Sequence, residues 1–174
     1  MLGTVCAFET SRTIVMKQTV IDILIYLFEN YIDDEIELGS DDDRLKSELH
    51  EAGFESGQVS KAFDWLQDLA VNRAYSEDLP APASTSVRVF SIDEQRKLDE
   101  ECRGFIYFLE QAGVLDPTSR ELVIDRVLAL ESDEIDIGQL KWIILMVLFN
   151  QPGHEQAFIW MEDLVMDDGQ EKLH

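Results

Sequence analysis

Eight consecutive apolar residues, 142–149, form the longest uninterrupted hydrophobic run in the chain. A helix that is apolar on every side has to be enclosed by other elements, because it has no face to present to water. Asp136, with Gln139 three residues later, has the spacing of an N-cap and its reciprocal partner, and Asn150 with Gly153 is typical of a helix end. The pattern predicts a central buried helix. A buried strand over 142–149 is the alternative, since a short apolar run does not separate the two.

Helical periodicity also organises the N-terminal part of the chain. Residues 17–32 carry apolar side chains at helical spacing, among them Val20, Leu24, Leu27, Phe28 and Tyr31. A second helix is predicted to start at the acidic residues 41–43 and to end before Gly53, where a left-handed C-terminal cap is expected. Ser56 then caps a third helix over 57–70. Helix, short glycine turn and helix is the outline of a helix-turn-helix unit.

A segment of prolines and small polar residues, 76–86, is predicted to be a loop or linker. It separates a helical N-terminal subdomain, 16–75, from a helical C-terminal subdomain, 87–174. The β-branched bias of 87–90 predicts a short strand that pairs with 73–75 as a β-hairpin. Such a wing behind the helix pair would make the N-terminal half winged-helix-like.

The C-terminal half is predicted to be helical throughout. Ser91 and Glu94 have the spacing of a capping box, which opens one helix that runs to Gly113. Gly104 inside this helix costs about 1 kcal/mol relative to Ala, so a close helix crossing is expected there. Further helices are predicted after Asp116 and over 154–165, and residues 167–174 are expected to fray. The fold class is therefore mainly α, with about seven helices.

Strong acidity is the extreme feature of the composition. The chain has 36 Asp and Glu against 14 Lys and Arg, a formal net charge of −22. Residues 17–79 contain 16 acids and 5 bases, and residues 87–174 contain 19 acids and 8 bases, so each part has a net charge of −11. Such a surface is repelled by nucleic acid phosphates and anionic membranes, and it suits a basic protein partner. Solubility alone is the alternative explanation of the charge.

Direct DNA binding is disfavoured by the second helix of the pair as well. Residues 57–70 contain Lys61 as their only base, beside Asp64 and Asp68. A recognition helix normally brings cations to phosphates and Arg, Asn or Gln to base edges. Gln58 and Gln67 are present, but there is no arginine.

The chain has no feature of a secreted or membrane-spanning protein. No apolar run reaches the roughly 18–20 residues that a bilayer span requires. Cys6 and Cys102 are far apart without metal-ligand spacing, which fits a reducing cytosol better than a disulfide framework. Residues 1–15 have no signal-peptide pattern, and Met16 is a more natural start of translation. Residues 1–15 are therefore expected to be a disordered extension or a start-site artefact.

No arrangement of residues indicates catalysis, a cofactor or a metal. The chain has no Gly-x-Ser-x-Gly elbow and no glycine-rich phosphate loop. None of its three histidines has a second histidine at ligand spacing, and the acidic run 41–43 lacks the spacing of a calcium loop. Cys102 lies on an apolar helix face, where a small core residue is more common than a nucleophile.

Residues that the predicted helix faces leave over are candidates for contact with a partner. They are Trp65, Arg103, Tyr107 and Trp160. For the three aromatic residues a core or rim position is the more common alternative. For Arg103 an ion pair with Asp99, four residues earlier, is the alternative explanation.

Several segments resemble the bacterial Smg family. They are residues 17–30, Ala52-Gly53-Phe54, Cys102-Arg103-Gly104-Phe105 with residues 108–111, residues 120–126, residues 140–150 and the closing Leu173-His174. The resemblance covers residues 16–174 and is most specific in the C-terminal half. It implies a cytoplasmic, uncharacterised protein without an established activity and without catalytic residues to carry over.

Three hypotheses for the function follow from these observations. The first is a non-enzymatic protein-interaction or adaptor module of the Smg type that uses its acidic surface. The second is a nucleic-acid-associated regulator built on the helix-turn-helix outline. The third, and the least favoured, is an enzyme of unknown type. The partner expected under the first hypothesis is a basic protein.

Overall fold

The computed structural model describes residues 19–31, 42–76 and 87–171. The predicted extension 1–15 and residues 77–86 of the predicted linker lie outside the described residues. The described part is mainly helical, as predicted. In chain order its helices are α1 (Val20–Tyr31), α2 (Asp42–Glu51), α3 (Ser56–Ser76), α4 (Ile92–Lys97), α5 (Glu100–Gln111), α6 (Pro117–Leu128), α7 (Ile137–Asn150) and α8 (Glu155–Glu171).

Helix α7 lies at the centre of the fold. It packs against α1, α3, α5, α6 and α8, and residues 143–148 are all buried. The Asp136 side chain accepts a hydrogen bond from the backbone N–H of Gln139, and the Gln139 side chain accepts one from the backbone N–H of Asp136. The predicted capping box is therefore present. The prediction of a central buried helix is confirmed, and the strand alternative is wrong. The last residue of the apolar run departs from it, since Phe149 is 54% exposed.

One hydrophobic core extends through the whole described part. Helix α3 packs against α1, α2, α6 and α7. Among its side chains up to residue 72, the buried apolar ones are Val59, Ala62, Phe63, Trp65 and Leu69. Between α2 and α3 the chain turns at Gly53, whose φ of +100° is the left-handed conformation predicted for it. Helix, turn and helix therefore follow one another as expected.

The predicted wing is wrong. Residues 73–75 belong to α3, which continues to Ser76, and residues 87–90 form no strand. The backbone N–H groups of 73–75 lie inside a helix and are not free to pair with a strand. Phe90 is buried instead, with its ring edge-on to Tyr107 at 5.4 Å between centroids. Burial against α5 explains the apolar residue at position 90, whereas Val87 and Val89 are both 82% exposed.

The single helix predicted from Ser91 to Gly113 is two helices. The chain leaves helical geometry at Leu98, which is fully buried and forms an isolated parallel bridge with Ile135. Asp99 then caps α5 by accepting a hydrogen bond from the backbone N–H of Cys102 at 2.8 Å. Leu98 has the spacing of the α5 apolar face, so the sequence pattern does not show the break.

Two further expectations about helices differ from the structure. Gly104 is exposed, and a Cβ atom placed on it would have no neighbour within 4 Å, so it marks no close helix crossing. Helix α8 continues to Glu171, so residues 167–171 are helical and not frayed. In the described part of the chain, no helix is both long enough and apolar enough to cross a bilayer.

Candidate interaction surface

Trp65 lies inside the protein, at 4% exposure. Its indole Nε1 donates to the backbone carbonyl of Arg126 at 2.9 Å, and Nη1 of Arg126 donates to the carbonyl of Trp65 at 3.3 Å. The Arg126 guanidinium also lies 5.7 Å from the centre of the indole ring. The residue connects α3 to α6 and has no ring face to offer to another protein.

Tyr107 and Arg103 are half-buried and make internal contacts. The Tyr107 hydroxyl donates to the carbonyl of Arg88, which ties α5 to the segment before α4. Arg103 Nε donates to the backbone carbonyl of Asp99 at 3.2 Å. Both side chains therefore support the packing around α5.

Trp160 is the predicted contact residue that the structure places at the surface, at 40% exposure. Its ring lies 6.3 Å from that of Phe108, which is 51% exposed and stacks on Phe105 at the same centroid distance. We call Phe105, Phe108 and Trp160 the aromatic surface. It joins α5 to α8, two helices that are distant from each other in the sequence.

Phe108 was missed as a candidate residue, although the sequence contains a signal for it. The buried residues of α5 are Cys102, Ile106 and Leu109. Phe108 precedes Leu109 and follows Phe105 by three residues, so it lies at the edge of the buried stripe beside Phe105. An aromatic residue in that position either covers a neighbouring element or reaches the solvent.

Carboxylates border the aromatic surface on both helices. On α8, Asp163 and Asp167 follow Trp160 by three and seven residues and therefore share its helix face; both are exposed. On α5, the exposed Glu101 precedes Phe105 by four residues. We call Glu101, Asp163 and Asp167 the acidic rim. Residues 155–171 contain six acids and no base, so the negative potential at this surface is not balanced within α8.

A second aromatic cluster lies on the opposite flank of α8. Phe28 of α1 packs edge-on against Trp142 and Phe149 of α7, at centroid distances of 6.0 and 5.5 Å. Phe158 of α8 lies 5.5 Å from Phe149. These rings fill the space between α1, α7 and α8, so they contribute to packing even where Phe149 is exposed.

Helix α3 occupies the place of a recognition helix, but between residues 57 and 70 it has no basic side chain available to contact a phosphate. Lys61 Nζ donates to both carboxylate oxygens of Glu131, at 2.8 and 2.7 Å. Asp64 and Asp68 are exposed on the same helix. Its apolar side is covered by α1, α6 and α7. This part of α3 therefore presents acids rather than cations to an approaching phosphate.

A network of charged side chains fixes the segment before α4. Arg88 donates to both oxygens of Glu94, at 2.9 and 2.7 Å, and also to Glu121 of α6. The guanidinium lowers the pKa of Glu94 to about 2, and the two carboxylates raise the pKa of Arg88. Both side chains are mostly buried. Because every oxygen and nitrogen in this contact already has a partner, the network is structural.

Cys102 is a core residue, as the apolar face predicts. It is fully buried, and its Sγ donates to the carbonyl of Ile135 at 3.4 Å. Burial, and then hydrogen bonding to Asp99, raises the pKa of the thiol to about 12, so the thiolate form is not accessible near neutral pH. Within the described ranges, no three His, Cys, Asp or Glu side chains lie close enough together to hold a metal ion.

Comparison with known proteins identifies the family. The model of the family described as "Protein of unknown function (DUF494)" matches residues 20–174. A Protein Smg homolog of Nitrosococcus oceani is 51% identical over 91% of this chain and 100% of the relative. The homolog of Alkalilimnicola ehrlichii is 52% identical over the same shares, and that of Halorhodospira halophila is 53% identical over 87% and 96%. No solved structure matches the chain. With half of all residues shared over nearly the full length of these relatives, the chain belongs to the Smg family, whose biochemical role is not established.

Proposed function

We propose that this protein is a non-enzymatic interaction module of the cytoplasm that binds a basic protein through its aromatic surface. One observation carries the proposal: two exposed aromatic rings, Phe108 and Trp160, contact each other between two helices, with carboxylates on the same helix faces.

Exposed aromatic side chains supply binding energy, whereas charges supply direction. Interface hot spots are enriched in Trp and Tyr, and a large side chain loses little entropy when its ring is already held by a neighbour. The ring contacts among Phe105, Phe108 and Trp160 hold the aromatic surface in this way. The net charge of −22 speeds the encounter with a basic partner. This acceleration becomes smaller as the salt concentration rises, because salt screens the charges.

The test is site-specific photo-crosslinking in the cells that make the protein. A benzophenone analogue of phenylalanine replaces Phe108 in one variant and Phe149 in another. The two positions have nearly equal exposure, 51% and 54%, but only Phe108 belongs to the aromatic surface. We expect a basic protein to be crosslinked at position 108 and not at position 149. Equal yields at the two positions, or an acidic crosslinked protein, would contradict the proposal.

A pair of charge variants separates the acidic rim from net charge. The first carries Glu101→Gln, Asp163→Asn and Asp167→Asn. The matched control carries Glu51→Gln, Asp64→Asn and Glu134→Gln, three exposed acids elsewhere. Both variants lose the same charge, so only the rim variant should reduce crosslinking from position 108. An equal reduction in the two would assign the effect to overall charge.

A further inference from the structure

We propose that the Phe108–Trp160 ring pair is a receptor for an arginine side chain of the partner. The inference rests on the proposed function and specifies the chemical group that its surface recognises. A guanidinium is planar, stacks on aromatic faces and is more weakly hydrated than an ammonium group, so it can lie on a ring and still face carboxylates.

The geometry of the two rings provides the place for such a group. Their centroids are 6.3 Å apart and their planes are inclined by 41°, so the rings form a shallow, open angle and not a closed stack. About half of Phe108 and two fifths of Trp160 face the solvent. The exposed Gly104, four residues before Phe108, adds no side chain to that side of α5.

The protein already contains cation–ring contacts, with arginine in two of the four described pairs and lysine in the other two. Described cation–ring pairs join Lys46 to Phe63, Arg88 to Phe90, Arg126 to Trp65 and Lys141 to Phe105, at 5.0–5.7 Å. The last of these lies at one end of the aromatic surface. Among the described residues, no cation lies over Phe108 or Trp160 in the same manner. A partner's arginine there would continue along the surface the arrangement that Lys141 begins.

Charge opposes two other occupants of an exposed aromatic surface. A second copy of this chain would bring its own net charge of −22 against the acidic rim. An anionic membrane is repelled for the same reason. An arginine-bearing protein segment is the occupant that satisfies both the rings and the carboxylates.

The experiment uses short capped peptides and the indole signals of the protein. ¹⁵N-labelled protein is titrated with a glycine-spaced peptide containing two arginines, with its lysine counterpart and with its citrulline counterpart. Citrulline keeps the shape of arginine without the charge. The chain has three tryptophans, and Trp65 serves as an internal reference because its indole is buried and hydrogen-bonded.

We expect the arginine peptide to shift the Trp160 indole signal while the Trp65 signal stays in place. The lysine peptide should bind more weakly, and citrulline should not bind measurably. Phe108→Leu keeps an apolar side chain but removes the ring face. It should weaken binding of the arginine peptide by roughly two- to fivefold, the usual effect of one exposed cation–ring contact. Phe149→Leu is the matched control and should bind as the wild type does.

Three results would overturn the inference: an unmoved Trp160 signal, equal binding of the arginine and lysine peptides, or an unchanged affinity in Phe108→Leu. Indole spectra of the free variants show whether each is folded. The outcome is independent of the crosslinking test. A captured basic protein with negative peptides would retain the proposed function and remove the arginine receptor. Binding of the arginine peptide without a crosslinked protein would retain the arginine receptor and remove the proposed function.

Discussion

Trp65 and Arg126 exchange hydrogen bonds across the α3–α6 contact, each donating from its side chain to the other's backbone carbonyl. The Arg126 carbonyl belongs to the last turn of α6, where carbonyls lack partners within the helix. Lys97 Nζ performs the same role for the carbonyl of Leu128 at 3.3 Å. Side chains from α3 and α4 therefore bond the carbonyls of Arg126 and Leu128 at the end of α6, while the carbonyl of Val127 accepts from the backbone N–H of Leu130.

Replacing Trp65 should destabilise the protein far more than replacing Trp160. Trp65→Ala removes a large buried side chain and should cost about 3–5 kcal/mol in the free energy of unfolding. Trp160→Ala, at the surface, should cost about 1 kcal/mol or less. Both costs are measured from the midpoints of denaturant unfolding curves, provided that the variants share one dependence of the free energy of unfolding on denaturant concentration. Similar midpoints for the two variants would contradict the assignment of Trp65 to the core and Trp160 to the surface.

Truncation within the central helix should have a comparable effect. Leu145 is almost fully buried in α7, so Leu145→Ala should cost about 2–5 kcal/mol. Glu131→Ala removes only an exposed ion pair with Lys61 and should cost about 1 kcal/mol or less. Chemical denaturation of the two variants beside wild type is the measurement.

The Arg88–Glu94 contact should make stability depend on acidity in a defined range. The folded pKa of Glu94, about 2, lies below the value near 4.3 of an unfolded glutamate. Its contribution is therefore fully present above about pH 4.5 and is lost as the pH falls toward 2. Glu94→Gln should cost on the order of 2 kcal/mol at neutral pH.

The cost of Glu94→Gln relative to wild type should shrink below about pH 4.5. Asp93→Asn, at the exposed neighbouring position, provides the control and should differ little from wild type at any pH. Thermal or urea unfolding between pH 7 and 2.5 gives the comparison. A Glu94→Gln cost that stays constant down to pH 2.5 would show that the carboxylate is not held by Arg88.

Cys102 should be unreactive in the folded protein. In a Cys6→Ser variant, an aromatic disulfide reagent at pH 8 should modify Cys102 at least about a hundredfold more slowly in the native state than in denaturant. Burial of Sγ and the raised pKa both act in this direction. Rapid stoichiometric reaction without denaturant would mean that α5 opens readily, or that the thiol is not in the core.

Duplex DNA should not bind at physiological salt. Lys61 is paired with Glu131, and the exposed residues around it on α3 include Asp64 and Asp68. Such a face repels phosphates, and a net charge of −22 adds to the repulsion. A mobility-shift assay over a range of salt concentrations is the measurement. Tight, salt-sensitive binding would favour the nucleic-acid hypothesis instead.

Features that depend on a few neighbouring residues could be predicted from the sequence. The capping boxes at Ser91 and Asp136, the left-handed turn at Gly53 and the enclosed α7 are present as predicted. Each follows from short-range rules: a side chain reaches a backbone N–H three residues away, a positive φ favours glycine, and a helix without a polar face cannot meet water. Such interactions are the same wherever the helix lies in the fold.

The interaction surface could not be predicted in this way. Trp65 and Trp160 have similar positions at the edges of apolar helix faces, yet one is buried beneath α6 and the other reaches Phe108 at the surface. The break at Leu98 depends in the same way on its pairing with Ile135, 37 residues later. A residue at the edge of an apolar stripe is buried or exposed according to which element packs beside it, and only the assembled tertiary structure decides that.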